Sequence, residues 1–484
     1  MKKVKDPNRL RFTDYFGTTA MSLCEGITAG LMTSWFMVYL TDYAGLGTWG
    51  ASLGAALLMF GRLFDAVNDP IEAWIMDRAK VGKHGKYKPF ILLSIVMIAL
   101  GVGALFFIPE GITGSPVAVA IWVILGYLLY DIGYSFFAPN LIYRTLTTDQ
   151  VSRSKLIIGP RMVGMIMGMV TGSLISIVQG VNAGIGNMHT AFGVTVLIMV
   201  ASTGLISLLG AGILKEKFHA EEENKEEPVK VLDIFRVLKH NKALSNMTLS
   251  VVFSGFIWTF LFATMLYYVK WAYCADLTTG AVNAETYGML SLIGSMMMFL
   301  PLIIGTIIAT PLMKAMKSAM RLHRTLMLVE GVVGFLLFIL HIVGILPNVP
   351  VLFFGLLAIT ATCIGIDYIP QETINLECMD YEVYVAGKDR SALCNAVNKF
   401  VNKLQAAFAS GIVGIVLTAI GYQVDSATDT YLGELSAIPS LLGWFIVIMG
   451  LVPGILGIIA WIILGKYPIT DEIRAKMKEL VGKK

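Results

Sequence analysis

The chain has 484 residues, 56% of them hydrophobic and only 14% charged, with a mean hydropathy of +0.72. Soluble domains carry charge on roughly a quarter of their residues, so these values exclude an ordinary water-soluble fold and indicate a surface that faces lipid. At about 20 apolar residues per crossing, the length accommodates about twelve spans and leaves little for a separate soluble domain.

The first residues, MKKVKDPNRLRF, are basic and are not followed by a small-residue cleavage site, so the first apolar run is expected to remain as a helix. Six apolar segments follow at roughly 17–41, 48–76, 89–109, 116–145, 156–181 and 190–213, and six more at roughly 244–272, 285–313, 325–346, 350–374, 392–421 and 439–465. Between the two sets lies the one long polar stretch, and its VLDIFRVL portion reads either as an amphipathic surface helix or as plain linker. The expected organisation is an N-terminal six-helix bundle over 1–214, a cytoplasmic loop over 215–243, a second bundle over 244–466 and a cytoplasmic tail over 467–484.

Orientation follows from basic residues in short connections. Arg78, Lys80, Lys83, Lys86 and Lys88 follow the second segment, Arg144, Arg153 and Lys155 the fourth, and Lys314, Lys317, Arg321 and Arg324 the eighth; Lys388 and Arg390 precede the eleventh. The alternate connections at 42–48, 110–115, 182–189, 347–349 and 422–438 hold no Lys or Arg, and only Lys270 blurs the pattern. Both termini are therefore expected in the cytoplasm, which requires an even number of spans. The five cysteines are scattered through apolar runs and give neither a disulfide framework nor metal-ligand spacing. They read as small packing residues.

Ionisable side chains deep in apolar runs are costly and mark interior cavities with a function. In the second segment, GRLFDAVNDPIEAW, Asp65 and Asp69 lie one turn apart on one face. Two like charges at that spacing repel unless a proton or a metal cation sits between them. Asn68 and the carbonyl freed by Pro70 add neutral oxygens, which suit a hard cation such as Na+. The fourth segment adds Asp131, within GYLLYDIGYSFF; a plain ion pair with Arg62 is the alternative reading. In the eleventh segment Asn395, Asn398, Asn402 and Gln405 share a face, with Lys399 and Lys403 as an adjacent stripe. Such a face lines a cavity or a polar interface. Lys403 is expected either to be drawn to the carboxylates or simply to join two helices. Glu25 and Arg161, in the first and fifth segments, offer the paired carboxylate and guanidinium that a polyhydroxyl ligand favours, unless each is tied to a protein partner. Tyr130, Tyr134 and Trp258 are further candidates, for stacking on a sugar ring. Asp367 and Glu372 in GIDYIPQET suggest a bend, and the six histidines are scattered, with His240 and His323 expected in loops.

RLFDAVNDPIEAWIMDRAK followed by GKHGKYKPFIL resembles the second-helix signature of the glycoside–pentoside–hexuronide:cation symporters, a group within the major facilitator superfamily that includes the melibiose carrier. TDYAGL, YDIGYSF and MDYEVYVAGKDRSA are similar to further segments of that family, so the resemblance spans both halves. It implies an all-α membrane protein of 12 transmembrane helices in two six-helix bundles with the major facilitator fold. It also implies that Asp65, Asn68 and Asp69 belong to the cation site, with Asp65 and Asp69 ligating the metal if the ion is Na+. On the same grounds Asp131 lies between cation and sugar, Arg161 at the sugar, and Lys403 near the cation. Asn398 and Asn402, on the face described above, complete the candidate sugar ligands with Glu25, Tyr130 and Tyr134. Three positions depart from the pattern: the first-helix sugar acid of the family aligns with Gly26, a tryptophan four residues after the fourth-helix aspartate is Ser135, and a hydroxyl residue one turn before Asp131 is Leu128.

The expected activity is symport of a sugar or glycoside with Na+ or H+ (Li+ being a further candidate) by alternating access, in the cytoplasmic (inner) membrane, as a monomer. No other cofactor and no nucleic-acid partner is expected. A lipid or lysolipid carrier of the same superfamily is the alternative. An intramembrane enzyme is not expected, because zinc spacing, a nucleophile elbow, a Ser/His pairing and a P-loop are all missing from the sequence.

Overall fold

The structure, a computed structural model, describes residues 9–147, 150–217, 231–387, 391–426 and 428–481. Its helices of ten or more residues are, in chain order, α1 (Phe12–Tyr43), α2 (Trp49–Arg78), α3 (Lys88–Phe106), α4 (Pro116–Phe136), α5 (Gln150–Gly172, continuing as Leu174–Ile185) and α6 (Met188–Ile213). There follow α7 (Val231–His240), α8 (Lys242–Cys274), α9 (Ala284–Met316), α10 (Ala319–Ile342), α11 (Pro350–Ala386), α12 (Ser391–Ile420), α13 (Leu435–Leu464) and α14 (Asp471–Val481). Among the described residues extended backbone is limited to four isolated bridges. Nine helices there are long and apolar enough to cross a membrane, and α5, bent by 48° at its break, makes a tenth. Helices α2 and α12, each of 30 residues, carry Asp65 and Asp69 and Lys399 and Lys403 respectively within otherwise largely apolar sequence. This is a multi-pass membrane protein, and the VLDIFRVL stretch is helical, as α7.

The backbone forms two compact units. One unit comprises 1–226 together with 274–295 and 414–437; the other comprises 227–273, 296–413 and 438–484. The first takes in the two connections because their polar groups are satisfied there. Tyr422 and Tyr43 donate hydrogen bonds to Asp42 and Asp429 respectively (3.1 and 3.3 Å), and the Tyr431 amide donates to Gly280 O (2.9 Å). All four side chains of those two tyrosine–aspartate contacts are buried.

In the first unit, α3 and α4 pack through glycine. A Cβ on Gly101 would meet the Tyr130 backbone nitrogen at 2.4 Å, and one on Gly133 the Ile98 nitrogen at 2.9 Å. The loop into α3 is held by Glu216, whose carboxylate accepts from the amides of Lys86, Tyr87 and Lys88 (2.9, 2.8 and 2.7 Å) and so caps the helix. Gly85 in that loop has φ +97°, and a Cβ there would strike the Glu216 carboxylate, so both backbone conformation and space call for glycine.

In the second unit, Gln405 of α12 donates to Val251 O and Val252 O of α8 (2.9 and 3.0 Å), across from Gly255. That member of the polar α12 face therefore joins two helices. The stretch after 466 is ordered as α14, where Arg474 pairs with Glu377 of α11 (2.5 Å). The five cysteines are buried and free, in agreement with a packing role.

Candidate functional site

Glu25 owes its position to a local break in α1 at Ser22. The Cys24 amide donates instead to Ser207 Oγ of α6 (2.9 Å), and Ser207 donates in turn to Ala20 O (3.0 Å). This pins the turn that precedes Glu25 to a neighbouring helix. The Glu25 carboxylate then lies within polar reach of the Tyr134 hydroxyl of α4. The adjacent Gly26 lies against α5, where a Cβ would sit 3.3 Å from the Gly164 Cα. Gly26 is thus a helix-contact position, and Glu25 is the acid that α1 offers on the Tyr134 side.

α4 carries Tyr127, Tyr130, Asp131 and Tyr134 within two turns, and the rings of Tyr130 and Tyr134 lie 5.8 Å apart. Asp131 is 5% exposed, whereas Tyr134 is 41% exposed. α2 meets α4 where Gly61 abuts the Tyr127 ring, leaving no room for a Cβ. One turn further along each of these helices come Asp65 and Asp131, so the backbone register sets the two positions at one level. On α2, Asn68 Nδ2 donates to Glu72 Oε1, and Glu72 is 3% exposed. The side chains of Asp65, Asp69, Asn398, Asn402 and Lys403, with those of Arg62, Asn395 and Lys399, lie outside the described residues.

Glu72 was missed by the sequence reading. It stands seven residues after Asp65 and three after Asp69, which places Asp65, Asn68, Asp69 and Glu72 on one helical face; that spacing was the available signal. Arg161 follows the internal Pro160 of α5 and is exposed, with no ion pair among the described residues. It stands between Gly159, which packs on Thr19, and Gly164, which packs on Gly26, and hence at the level of Glu25 without touching it. Trp258 packs on Phe262 and Phe299, at ring-centroid distances of 4.3 and 6.4 Å, inside an aromatic cluster of the second unit. Two expectations are corrected, since neither histidine lies in a loop: His240 is the last residue of α7, and His323 lies within α10 and is 1% exposed, because the helix begins earlier than its first apolar run.

The MFS/sugar transport protein family matches residues 19–471. The chain belongs to that family. An uncharacterized symporter, YjmB, of Bacillus subtilis (strain 168) is 23% identical over 464 residues, covering 94% of this chain and 91% of the relative. A sodium-dependent lysophosphatidylcholine symporter, 1-A, of Danio rerio is 28% identical over 163 residues, 33% of this chain and 29% of that protein. Among solved structures, a D-xylose-proton symporter superposes with a TM-score of 0.59 at 12% identity, covering 94% of this chain and 97% of the other. The nucleoside transporter NupG gives 0.56 at 15% identity, covering 94% and 99%. The chain therefore has the major facilitator fold, its relatives are membrane transporters, and secondary active transport of a small molecule is its class of activity.

Proposed function

We propose that this transporter is a cation-coupled symporter of the glycoside–pentoside–hexuronide kind, carrying a sugar or glycoside with Na+ or H+ by alternating access. The reading is supported chiefly by burial of Asp131 and Glu72 on two helices that Gly61 and Tyr127 lock in register. Acids on the interior faces of α2 and α4 attract a cation, and the same charges are costly while the site is empty. Cation entry then lowers the cost of bringing Asp131 next to a hydroxylated ligand. By linkage each of the two solutes raises the affinity for the other by the same factor. Asp65 and Asp69 are assigned as cation ligands, with Asn68 beside them and Lys403 as the countercharge. Glu25, Asp131, Arg161, Tyr130, Tyr134, Asn398 and Asn402 are assigned to the sugar.

The deciding experiment is uptake into vesicles containing the purified protein, scanning glycosides, pentosides and uronides under Na+, Li+ or pH gradients. Accumulation driven by one of these gradients is expected; uptake that none of them drives removes symport. A second reading, a lysolipid carrier, is favoured by the partial match to the fish lysophosphatidylcholine symporter. Uptake of lysophospholipid without any sugar would select it.

The Tyr134–Glu25 contact supplies a finer test within the same assay. A hydrogen bond to a charged group contributes about 1.5–3 kcal/mol, so Tyr134→Phe is expected to raise the KM for sugar about tenfold or more, with Glu25→Gln at least as damaging. Unchanged KM in both variants removes Glu25 from the sugar site.

A further inference from the structure

The second unit buries a group of ionisable side chains that the transport reading does not use. His323 of α10 and Asp367 of α11 share a hydrogen bond of 2.6 Å between Nδ1 and Oδ1, and they are 1% and 8% exposed. Glu330, two turns beyond His323 on the same helix, is 4% exposed and feels the charge of Asp367. Two buried polar atoms at this group have no hydrogen-bond partner, Glu330 Oε1 and His323 Nε2. The surroundings are otherwise apolar, with Leu326, Met327 and Ile366 in the same packed cluster.

Among the described residues, nothing facing the group can neutralise a second negative charge. From α11 come Asp367 and the Cys363 thiol, one turn apart and both within electrostatic reach of Glu330. From α13, which packs along α10, residues Ile438–Leu464 contribute no titratable side chain. Arg324, the nearest cation in sequence, turns away: its guanidinium lies over the Trp461 ring at 4.6 Å and its Nε donates to Trp461 O (3.0 Å). The imidazole of His323 can balance one carboxylate, the one it touches. An ionised Glu330 would then be a buried charge without a counterion, which costs several kcal/mol. No metal-ligand grouping exists among the described residues.

We propose that His323, Asp367 and Glu330 form a proton-binding site in the second unit, separate from the acids of α2 and α4, in which Glu330 carries the bound proton beside the hydrogen-bonded His323–Asp367 pair. His323 stands near the basic end of α10, whereas Glu330 lies eleven residues in from Ala319, roughly 16 Å along the helix. The bonded pair therefore lies between that end of the helix and the acid, the order in which a proton entering there would meet the groups. Loading is a transfer of H+ alone, from water to carboxylate, with no other reactant.

The proposal makes Gln a faithful stand-in for protonated Glu330, and this gives the test. Wild-type, Glu330→Gln and Asp367→Asn full-length proteins are purified in detergent, and each is followed by infrared difference spectroscopy and by thermal unfolding from about pH 6 to about pH 9. A carboxylic-acid carbonyl band is expected in the wild type at neutral pH, absent from Glu330→Gln and retained in Asp367→Asn. The folded protein holds a proton that the unfolded chain releases, so alkaline pH favours unfolding. The wild-type midpoint is therefore expected to fall as pH rises, with a smaller fall in Glu330→Gln, whose neutral-pH midpoint equals or exceeds that of the wild type. Identical carbonyl spectra for wild type and Glu330→Gln overturn the proposal. So does a Glu330→Gln protein that misfolds or is destabilised at neutral pH, since that result means Glu330 is ionised and paired. No readout involves a transported solute, so the outcome is independent of the symport assignment.

Discussion

Asp69→Asn is expected to abolish cation-driven accumulation while leaving sugar exchange at equal concentrations measurable. Asp65 and Asp69 are one helical turn apart, and a cation between them is attracted by both. At about 4 Å and an effective dielectric constant near 20, one carboxylate contributes about 4 kcal/mol to that attraction, so its loss lowers cation affinity about a thousandfold. Asparagine keeps the volume and one oxygen, so the helix and its contact through Gly61 persist. What disappears is the penalty for moving the site without its ion, and with it the coupling. Accumulation against a gradient and counterflow, measured side by side in proteoliposomes, check this. Wild-type accumulation by Asp69→Asn would refute the cation assignment.

Gly334→Leu is expected to lower the thermal unfolding midpoint by roughly 10 °C. α10 and α13 approach through Gly331 and Gly334 on one side and Gly450, Gly454 and Gly457 on the other. A Cβ on Gly334 would sit 2.5 Å from Gly450 O and 2.9 Å from Gly454 N. Both are backbone atoms, so no rotamer change relieves the clash and the helices must separate. Lipid tails are as apolar as leucine, so contact between such helices rests on close packing, and small residues permit it. Overpacking of this kind costs about 3 kcal/mol, which corresponds to the stated shift at about 3 °C per kcal/mol. Gly443→Leu is the control, because a Cβ at Gly443 of α13 meets nothing within 4 Å; its midpoint should match the wild type. Equal losses in both variants would overturn the assignment of the cost to the Gly334 contact, since leucine favours a helix over glycine and propensity alone gives no loss.

Hydrophobic runs and charge spacing made the helical membrane class and the α2 face legible without coordinates. A span must satisfy its backbone internally and present apolar side chains to lipid, so membrane helices announce themselves locally. The aspartates were conspicuous for the same reason: a charge in such a run is a local anomaly. His323 escaped because α10 extends past the run that advertised it.

What the sequence by itself determined was therefore local: that the chain is built of long apolar helices suited to a bilayer, and that acids interrupt two of them, α2 and α4. Only the tertiary structure decided that Glu25 meets Tyr134, that Gly26 is a contact between helices, that Gln405 bonds to α8, and that Glu330, Asp367 and His323 share one buried space. These are relations between helices far apart in sequence. They depend on which glycine faces which backbone and on how far each helix extends beyond its apolar core, and neither quantity is written in the periodicity of a single segment.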